Sequence, residues 1–198
     1  MSSTNRGKER SKFDYYVTPE SEVEKFLRKF MKKHGEVEIG KNILDPCAGG
    51  DKENEMSYPN VIKRLMPENT VLTMDIREDS KAMLKGYDYL KTDIREIMQK
   101  SKVQMIFTNP PFNLAMDFIK KSLEDVEENG YVIMLLRLNF LGSRERNEWL
   151  KNNMPFEIYV HAKRMSFTGD GKTDSIEYAH FVWKKGWKGS TRVFLLDY

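Results

Sequence analysis

Four consecutive residues, Asn109-Pro110-Pro111-Phe112, carry the clearest chemical signal in the chain. They follow a short apolar run from Val103 to Phe107, whose β-branched and aromatic residues are typical of a buried strand. Consecutive prolines remove backbone donors and hold the preceding residues extended, so we expect Asn109 at the carboxyl end of this strand. In open α/β sheets, ligands bind at that end of the strands.

The tetrapeptide offers two hydrogen-bond acceptors beside an aromatic ring. The acceptors are the Asn109 side-chain carbonyl and the Pro110 backbone carbonyl, and the ring is that of Phe112. This set fits a planar ligand with an exocyclic amino group, whose lone pair is normally delocalised into the ring. If both N–H bonds point at acceptors, the lone pair becomes available for in-line attack on an electrophilic methyl group. The alternative is a tight strand-to-helix turn with no chemical role.

The composition indicates one globular domain. The 198 residues are 39% hydrophobic and 32% charged. No apolar run approaches the roughly 18 residues of a membrane span, and no signal peptide is apparent, so we expect a cytosolic protein without membrane association. Cys47 is the only cysteine and the three histidines are scattered, so neither a disulfide framework nor a metal cluster is expected.

The charge distribution mildly favours a polyanionic partner. The net charge is +3, from 33 basic and 30 acidic residues. Residues 1–12 have the composition of a disordered basic tail, and residues 13–198 are expected to form the single domain. Further basic residues concentrate in the second half of the chain: Arg137, Arg144, Arg146, Lys163, Arg164 and Lys172. An ordinary solvated surface is the alternative explanation for them.

Alternating strand and helix patterns predict a doubly wound α/β domain. The strands are expected over 42–45, 71–75, 103–107, 131–136, 156–160, 176–183 and 192–196. The helices are expected over 19–34, from about residue 59, over 114–127 and over 143–154, with Thr18 capping the first. This order predicts a mostly parallel, seven-stranded sheet that ends in an antiparallel hairpin.

Small and acidic residues follow the other early strands. The loop Pro46 to Gly50 comes directly after Asp45, and glycines there let the backbone approach a ligand closely. Neither a dinucleotide fingerprint nor a phosphate loop is present, so an uncharged or zwitterionic ligand is expected. Asp75 ends the next strand, where an acid can accept both hydroxyls of a ribose, and Asp93 precedes a helical turn. Either aspartate could instead be a helix cap.

Four motifs occur in an order that is characteristic of one family. They are Tyr16-Val17-Thr18-Pro19, Asp45 to Gly50, the acid Asp75, and Asn109 to Phe112. With them the chain resembles the S-adenosylmethionine-dependent amino-methyltransferases of DNA, especially the short adenine-N6 enzymes of phages, prophages and restriction-modification systems. The resemblance covers residues 13 to roughly 140 and implies a Rossmann-like methyltransferase fold.

The resemblance implies methyl transfer from S-adenosylmethionine to the N6 amine of adenine in DNA, with S-adenosylhomocysteine as product and no metal. Asp75 would bind the cofactor ribose and Asp93 its adenine amino group. The full cofactor set would be Tyr16, Thr18, Pro19, Asp45, Pro46, Cys47, Ala48, Gly49, Asp75, Ile76, Asp93, Ile94 and Asn109. The catalytic set would be Asn109, Pro110, Pro111 and Phe112. The target base would be flipped out of the duplex, because its amino group is otherwise buried.

The last third of the chain matches the family less closely. Phe167 lies in a segment that resembles the mobile loop that closes over the base, where it would stack on the second face; a hairpin tip with a core phenylalanine is the alternative. The implied substrate contacts are Phe112, Arg137, Arg164, Phe167 and Lys172. No separate target-recognition domain is expected within residues 13–198, so recognition would be carried by loops or supplied by a partner, and a homodimer remains open. The polar run Asp51 to Ser57 is longer than a cofactor turn requires and is expected to be a flap or contact loop.

Other substrates would suit the same site. Adenine in RNA, cytosine N4 and a protein glutamine amide each present a planar nitrogen, although Asn109 and the basic tail favour adenine in DNA. Methylation at cytosine carbon-5 requires a cysteine nucleophile beside the base, whereas Cys47 lies in the cofactor loop. A relative that only binds nucleic acid or a partner protein is the alternative from another class, and the intact Asn109, Pro110 and Phe112 argue against it.

Overall fold

A computed structural model describes residues 16–35, 40–99, 101–167 and 175–197. The basic tail, Phe13 to Tyr15 and Lys172 lie outside these ranges. The strands are β1 Asn42–Asp45, β2 Thr70–Asp75, β3 Leu84–Lys85, β4 Val103–Thr108, β5 Val126–Arg137, β6 Glu157–His161, β7 Tyr178–Lys184 and β8 Arg192–Leu196. The α-helices are α1 Glu20–His34, α2 Ser57–Leu65, α3 Ile94–Ile97, α4 Ala115–Asp125 and α5 Arg144–Asn152, and the 3-10 turns are Tyr89–Lys91, Phe112–Leu114 and Leu138–Leu141. Of the helices in these ranges, none has both the length and the apolar character to span a membrane.

The strands form one sheet in the order β3-β2-β1-β4-β5-β7-β6-β8. β7 is antiparallel to both β5 and β6, and the other neighbouring strands are parallel. The doubly wound, mostly parallel sheet with a C-terminal antiparallel hairpin is therefore confirmed. The sheet has eight strands instead of seven because β3 adds a two-residue pairing, Leu84 and Lys85, that is too short to leave a sequence pattern. The strand order reverses between β1 and β4, which is where such sheets bind ligands.

Successive side chains of the central strands point to opposite faces of the sheet. Ile43 and Met105 pack on one face against α1 and α2, while Leu44 and Ile106 pack on the other face against α4. All four side chains are at most 1% exposed. Because both faces are covered, the two residues of each adjacent pair, Ile43-Leu44 and Met105-Ile106, are both apolar, which is why the sequence pattern located these strands.

The junction between α4 and β5 differs from the sequence expectation. The helix expected to reach residue 127 ends at Asp125, and β5 begins at once at Val126. Asn129 takes a left-handed conformation with φ of +66°, and the pairing of β5 with β4 shifts register between Val103 and Met105. The Asn129-Gly130 pair therefore forms an irregularity within a strand and does not end a helix. Gly35, with φ of +73°, ends α1 as expected.

Candidate active site

A cavity of about 390 Å³ opens beyond the carboxyl ends of β1, β2 and β4. Small-molecule sites in proteins typically have volumes of roughly 300 to 1,000 Å³. The walls come from the segment before α1, the loops after the three strands, the segment after β3, and the first turns of α2 and α4. They are Tyr16, Val17, Thr18, Pro46 to Gly50, Glu55, Ser57, Tyr58, Asp75 to Arg77, Tyr87 to Leu90, Asn109, Pro111, Asn113, Leu114 and Phe118.

The loop after β1 presents its backbone to the cavity. Gly49 and Gly50 have φ values of +71° and +74°, which side chains disfavour. A Cβ on Gly50 would lie 2.8 Å from the Lys81 Cβ, so this turn leaves no room for a side chain. The Gly49 carbonyl accepts a hydrogen bond from the Ser80 hydroxyl at 2.7 Å. These contacts produce the close backbone approach that the sequence predicts.

Asp75 is fixed at the end of β2 by its neighbours. One carboxylate oxygen accepts the Gly49 N–H and the other accepts the Arg77 N–H, both at 2.8 Å. The Arg77 guanidinium lies 3.3 Å from the same carboxylate and donates to the Gly50 carbonyl at 2.7 Å. A carboxylate oxygen can accept about two hydrogen bonds, so Asp75 can still accept hydrogen bonds from ligand hydroxyls. Arg77 is a wall residue that the sequence analysis did not identify.

The structure places Asp93 outside the cavity. Its carboxylate caps α3 by accepting the Arg95 N–H at 3.0 Å and pairs with the Arg95 guanidinium at 2.9 Å. The Arg95 hydrogen bonds lower the pKa of this exposed carboxyl. The next residue, Ile94, is buried in the core. Asp93 thus has the contacts of the helix cap that was its alternative assignment.

Asp88 lines the cavity where the sequence analysis expected Asp93 to act. It is half-buried and accepts the Leu90 N–H at 3.1 Å, so its carboxylate has a defined orientation. The neighbouring Tyr87 and Leu90 also belong to the wall. The sequence signal for this position is an acid between aromatic residues just after a strand, and it is weak because β3 is so short.

Asn109 presents an unpaired acceptor at the end of β4. Its Nδ2 donates to the Thr18 hydroxyl at 3.0 Å, while its Oδ1 is buried and has no hydrogen-bond partner among the described residues. A buried carbonyl left without a partner costs about 1 to 3 kcal/mol, so a ligand donor there would be stabilised. Thr18 does not cap α1, contrary to the sequence expectation: α1 begins at Glu20, and no side chain caps it at Pro19.

Half-buried aromatic side chains form an aromatic surface beside Asn109, packed on the buried ring of Tyr178. The Phe112 ring lies 5.6 Å from that of Tyr178, which lies 5.1 Å from that of Phe167. Phe167 in turn contacts Tyr16 at 6.1 Å between ring centroids, and the Arg137 guanidinium lies 5.1 Å from the centre of the Phe112 ring. The structure thus groups four residues that were predicted as site residues around Tyr178: Tyr16, Phe112, Arg137 and Phe167. Tyr178 itself was not predicted.

The site residues predicted from the sequence divide into three groups by their relation to the cavity. Tyr16, Thr18, Pro46, Cys47, Ala48, Gly49, Asp75, Ile76, Asn109 and Pro111 line the cavity. Pro19, Asp45, Asp93, Ile94, Pro110, Phe112, Arg137, Arg164 and Phe167 do not, and Lys172 is outside the described ranges. Arg164 is exposed and lies 3.4 Å from Glu177. Within the part of the chain that the structure describes, no group of three or more histidine, cysteine or acidic residues could hold a metal ion.

The Asp51 to Ser57 segment is held by its own side chains. The Asp51 carboxylate accepts the N–H groups of Glu53 and Asn54, each at 2.8 Å. Glu55 forms an ion pair with Lys81 and reaches the cavity wall. The segment therefore contributes to the cavity directly, and α2 begins at Ser57, earlier than expected.

Asp45 is fully buried beneath the loop after β1 and accepts the Cys47 N–H at 3.1 Å. Burial raises the pKa of its carboxyl to about 7, although the Thr108 side chain and the Cys47 N–H act in the opposite direction. Cys47 itself has a pKa raised well above its usual value, chiefly by burial, so it is a neutral thiol and not a nucleophile. Asp45 supports the loop after β1 from below and does not line the cavity.

Replacing Asp45 by asparagine is expected to stabilise the protein at pH 8. The folded-state pKa is raised from 3.8 to about 7, so ionising this group opposes folding increasingly from pH 4 to pH 7 and fully above it. Asparagine keeps the acceptor for Cys47 without the buried charge, and the gain has an upper bound of about 4 kcal/mol. Urea unfolding at pH 8 and at pH 4 measures it. A gain of equal size at both pH values would contradict the assignment.

No family model matches the chain, and neither does any curated protein. Solved structures do match. A candidate class I S-adenosylmethionine-dependent methyltransferase from Listeria monocytogenes has a TM-score of 0.64 at 16% identity, covering 90% of this chain and 64% of that chain. The M protein of the type I restriction enzyme EcoKI has a TM-score of 0.61 at 12% identity, covering 87% and 44%. A candidate RNA methyltransferase from Pyrococcus horikoshii has a TM-score of 0.54 at 16% identity, covering 92% and 94%.

At these identities the likeness concerns the fold. The chain spans 64% of the Listeria protein and under half of the EcoKI M protein, so both of those contain regions that have no counterpart here. The chain has the Rossmann-like fold of the S-adenosylmethionine-dependent methyltransferases.

Proposed function

We propose that this protein transfers a methyl group from S-adenosylmethionine to the N6 amine of adenine in DNA. The observation that carries the proposal is the state of Asn109. Its Oδ1 is buried without a partner while its Nδ2 is bound to Thr18, so the amide offers an acceptor at the edge of the cavity. This is the group that the activation of an exocyclic amine requires.

The residues around the cavity fit a zwitterionic nucleoside. Asp75 would accept the ribose hydroxyls and Asp88 the adenine amino group, while Ile76, 45% exposed, would cover one face of the adenine ring. The backbone of Cys47 to Gly49 and the side chain of Tyr16 would hold the methionine part. When bound, S-adenosylmethionine supplies an electrophilic methyl group on a sulfonium sulfur. Pro19 and Asp45 do not line the cavity, so they would act only by holding the neighbouring residues in place.

Asn109 and Pro110 would activate the target amine. Their carbonyl oxygens would each accept a hydrogen bond from one N–H group of the amine. This pair of hydrogen bonds localises the nitrogen lone pair and directs it along the line of attack. The same two dipoles stabilise the positive charge that develops on the nitrogen as the new carbon–nitrogen bond forms. Pro110 has no N–H of its own, and Pro111 holds it extended, so the carbonyl orientation is restricted.

The aromatic surface beside Asn109 would receive the flipped base. Phe112 is supported on one side by Tyr178 and carries the Arg137 guanidinium near its ring, so its position is fixed before a base arrives. Stacking on aromatic rings contributes about 1 to 3 kcal/mol per base in proteins that bind single-stranded nucleic acid. Phe167 would complete the pocket opposite Phe112. Arg164, Lys172 and the basic tail would contact phosphates, and specificity would come from loops or a partner.

Adenine in RNA is the second candidate substrate. The Pyrococcus structure, whose description names RNA, matches over 94% of its own length. That coverage exceeds the 44% of the EcoKI M protein, so this chain accounts for nearly the whole of the Pyrococcus structure. The aromatic surface and Asn109 would serve either polymer. DNA remains the first candidate because of the motif resemblance and the basic tail.

Replacing Asp88 by asparagine is expected to raise the Kd for S-adenosylhomocysteine about tenfold, because the adenine amino group would lose a charged acceptor. Asp93→Asn is the matched control, since it changes an acid of the same region that caps α3 outside the cavity. Its Kd should stay within about twofold of wild type. Isothermal titration calorimetry measures both values. The reverse pattern would restore Asp93 to the cofactor site.

The proposal is tested by methyl transfer from labelled S-adenosylmethionine to unmethylated DNA and to RNA in parallel reactions. Label in DNA alone would support the first candidate, and label in RNA alone the second. If neither polymer is labelled while S-adenosylhomocysteine still raises the melting temperature, either the substrate is a different nitrogen, such as a protein amide, or a recognition partner has to be added. If this ligand gives no thermal shift even at millimolar concentration, the methyltransferase proposal fails.

A further inference from the structure

Three acids line the cavity among the residues that the structure describes: Glu55, Asp75 and Asp88. Asp75 and Asp88 stand after β2 and β3, at the end of the cavity proposed for the ribose and the adenine ring. Glu55 belongs to the Asp51 to Ser57 segment, between β1 and α2. S-adenosylmethionine carries donors in three places: the ribose hydroxyls, the adenine amino group and the α-ammonium of its methionine part. Glu55 is therefore the wall acid that remains for the ammonium.

A closed turn fixes the place of Glu55 in the loop. The Asp51 N–H donates to the Asn54 carbonyl at 2.9 Å, and the Asn54 side-chain amide donates back to the Asp51 carboxylate at 3.0 Å. On the other side of Glu55, Met56 packs over Gly50, since a Cβ at Gly50 would lie 3.0 Å from the Met56 Cγ. Glu55 thus stands between two anchored residues, which hold it at the cavity wall.

The wall beside Glu55 leads toward the reacting end of the site. Ser57 opens α2 and also lines the cavity. In the same helix, the Asn60 side chain donates to Glu20 in the first turn of α1 at 3.0 Å, so the two helices begin side by side. Thr18, two positions before α1, contacts the first residue of the proposed catalytic tetrapeptide. The methionine part carries the transferred methyl group on its sulfur, so it has to lie at this end.

Glu55 already has a cation as its partner. It forms an ion pair with Lys81, whose N–H donates to the Gly49 carbonyl at 3.2 Å. The Glu55 side chain is 63% exposed, so the carboxylate is accessible to a second cation. Lys81 is not one of the residues that line the cavity. A ligand ammonium can therefore bind Glu55 either beside Lys81 or in its place.

Asp45 is the acid that the family resemblance implies for the cofactor, but it lies out of reach. Its side chain is fully buried beneath the loop after β1, accepts the Cys47 N–H at 3.1 Å and does not line the cavity. A ligand cation would have to displace the loop to reach it. An acceptor for the ammonium is therefore better supplied from the loop that follows.

We infer that Glu55 binds the α-ammonium group of the methionine part and so selects ligands that carry an intact amino acid. The inference rests on the proposed function, since it requires S-adenosylmethionine to bind in this cavity. The carboxylate accepts hydrogen bonds from the ammonium, and no covalent step is involved. The Asp51 to Ser57 segment then has a role that a short cofactor turn could not fill, because it brings an accessible acid to the wall while Asp45 stays buried.

The test measures the affinity for two ligands that differ only in the ammonium group. They are S-adenosylhomocysteine and its desamino analogue, in which hydrogen replaces the ammonium and the carboxylate remains. We define the ammonium preference as the Kd of the analogue divided by the Kd of S-adenosylhomocysteine. In Glu55→Gln we expect this preference to fall about three- to fivefold, a modest loss because solvent screens an exposed carboxylate. Isothermal titration calorimetry measures both Kd values, and no methyl transfer is needed.

Two control variants separate the ammonium contact from other effects on the loop. Lys81→Met removes the ion-pair partner of Glu55 and keeps aliphatic atoms against Gly50, so the ammonium preference should not fall. Glu53→Gln changes an exposed acid of the same segment that does not line the cavity, and the preference should stay at its wild-type value.

The outcomes distinguish this inference from the proposed function. A fall in the ammonium preference in Glu55→Gln alone supports the inference. An unchanged preference in that variant overturns it, and so does an equal fall in Lys81→Met, which would trace the effect to the ion pair. A fall in Asp45→Asn but not in Glu55→Gln would also overturn it, because the ammonium would then bind at Asp45. In all these cases S-adenosylhomocysteine still binds; a wild-type protein that binds neither ligand overturns the proposed function and the inference together.

Discussion

Replacing Asn109 by alanine is expected to abolish detectable methyl transfer while the cofactor still binds. The substitution removes the acceptor that localises the nitrogen lone pair and stabilises the developing charge, and loss of one such preorganised group costs about 10²- to 10³-fold in kcat. The Asn109 side chain makes its one side-chain hydrogen bond among the described residues to Thr18, not to the loop that would hold the cofactor. Single-turnover transfer from labelled S-adenosylmethionine and calorimetry with S-adenosylhomocysteine measure the two effects separately.

The aspartate variant of the same residue serves as the control for chemistry. Asn109→Asp keeps an acceptor oxygen at the site but loses the Nδ2 donor to Thr18, so we expect a kcat between those of wild type and the alanine variant. Full activity of Asn109→Ala, or loss of cofactor binding without loss of kcat, would show that the amide does not serve the methyl acceptor.

The second large effect is expected at Asp75. In Asp75→Asn the amide NH₂ would face either the Gly49 N–H or the Arg77 N–H, so one of the bonds that shape the loop is lost. The neutral amide is also a weaker acceptor for ribose hydroxyls. The combined loss of about 1.5 to 3 kcal/mol corresponds to an increase in the Kd for S-adenosylhomocysteine of roughly 10- to 100-fold. At saturating cofactor, kcat should stay near wild type.

Asp79→Asn is the matched control for this prediction. Asp79 also pairs with the Arg77 guanidinium, at 3.4 Å, but its side chain is 73% exposed and it does not line the cavity. Its removal should change the Kd by less than about twofold. If Asp75→Asn lowered kcat and left the Kd unchanged, the ribose assignment would be wrong.

Much of the fold follows from the sequence because both faces of the sheet are buried. Ile43-Leu44 and Met105-Ile106 are adjacent apolar pairs that point to opposite buried faces, which both locates the strands and indicates a parallel sheet. The strand that was missed, β3, pairs only Leu84 and Lys85 with β2, and its position depends on the β2 edge and not on its own residues.

The site was predictable where a residue directly follows a strand. Asn109 and Asp75 stand at strand ends, so their neighbourhood follows from topology alone. Asp88 was missed because its place depends on the short β3 and the 3-10 turn behind it, while Asp93 has an equally good local pattern that serves α3. Tyr58 and Tyr178 come from distant segments of a helix and a strand, and only tertiary packing brings Tyr58 to the cavity wall and Tyr178 to Phe112.

Thr18 shows how local and tertiary demands compete. A threonine followed by proline and glutamate is a strong signal for a helix N-terminus, yet its hydroxyl is bonded to Asn109, 91 positions away. The helix starts without a side-chain cap, at a cost of about 1 kcal/mol relative to a capped helix. In exchange for this loss of stability at α1, the Thr18 hydroxyl binds the Asn109 Nδ2 and leaves Oδ1 as the acceptor.

The central claim, activation of an adenine amine by Asn109, is tested most directly by the chemical identity of the product. Unmethylated DNA and RNA would be treated with the protein and S-adenosylmethionine, digested to nucleosides and analysed by mass spectrometry, with Asn109→Ala as the parallel control. The account predicts N6-methyladenine from DNA with the wild-type protein and none with the variant. Methylation at a ring carbon, or N6-methyladenine formed equally by the Asn109→Ala variant, would contradict it.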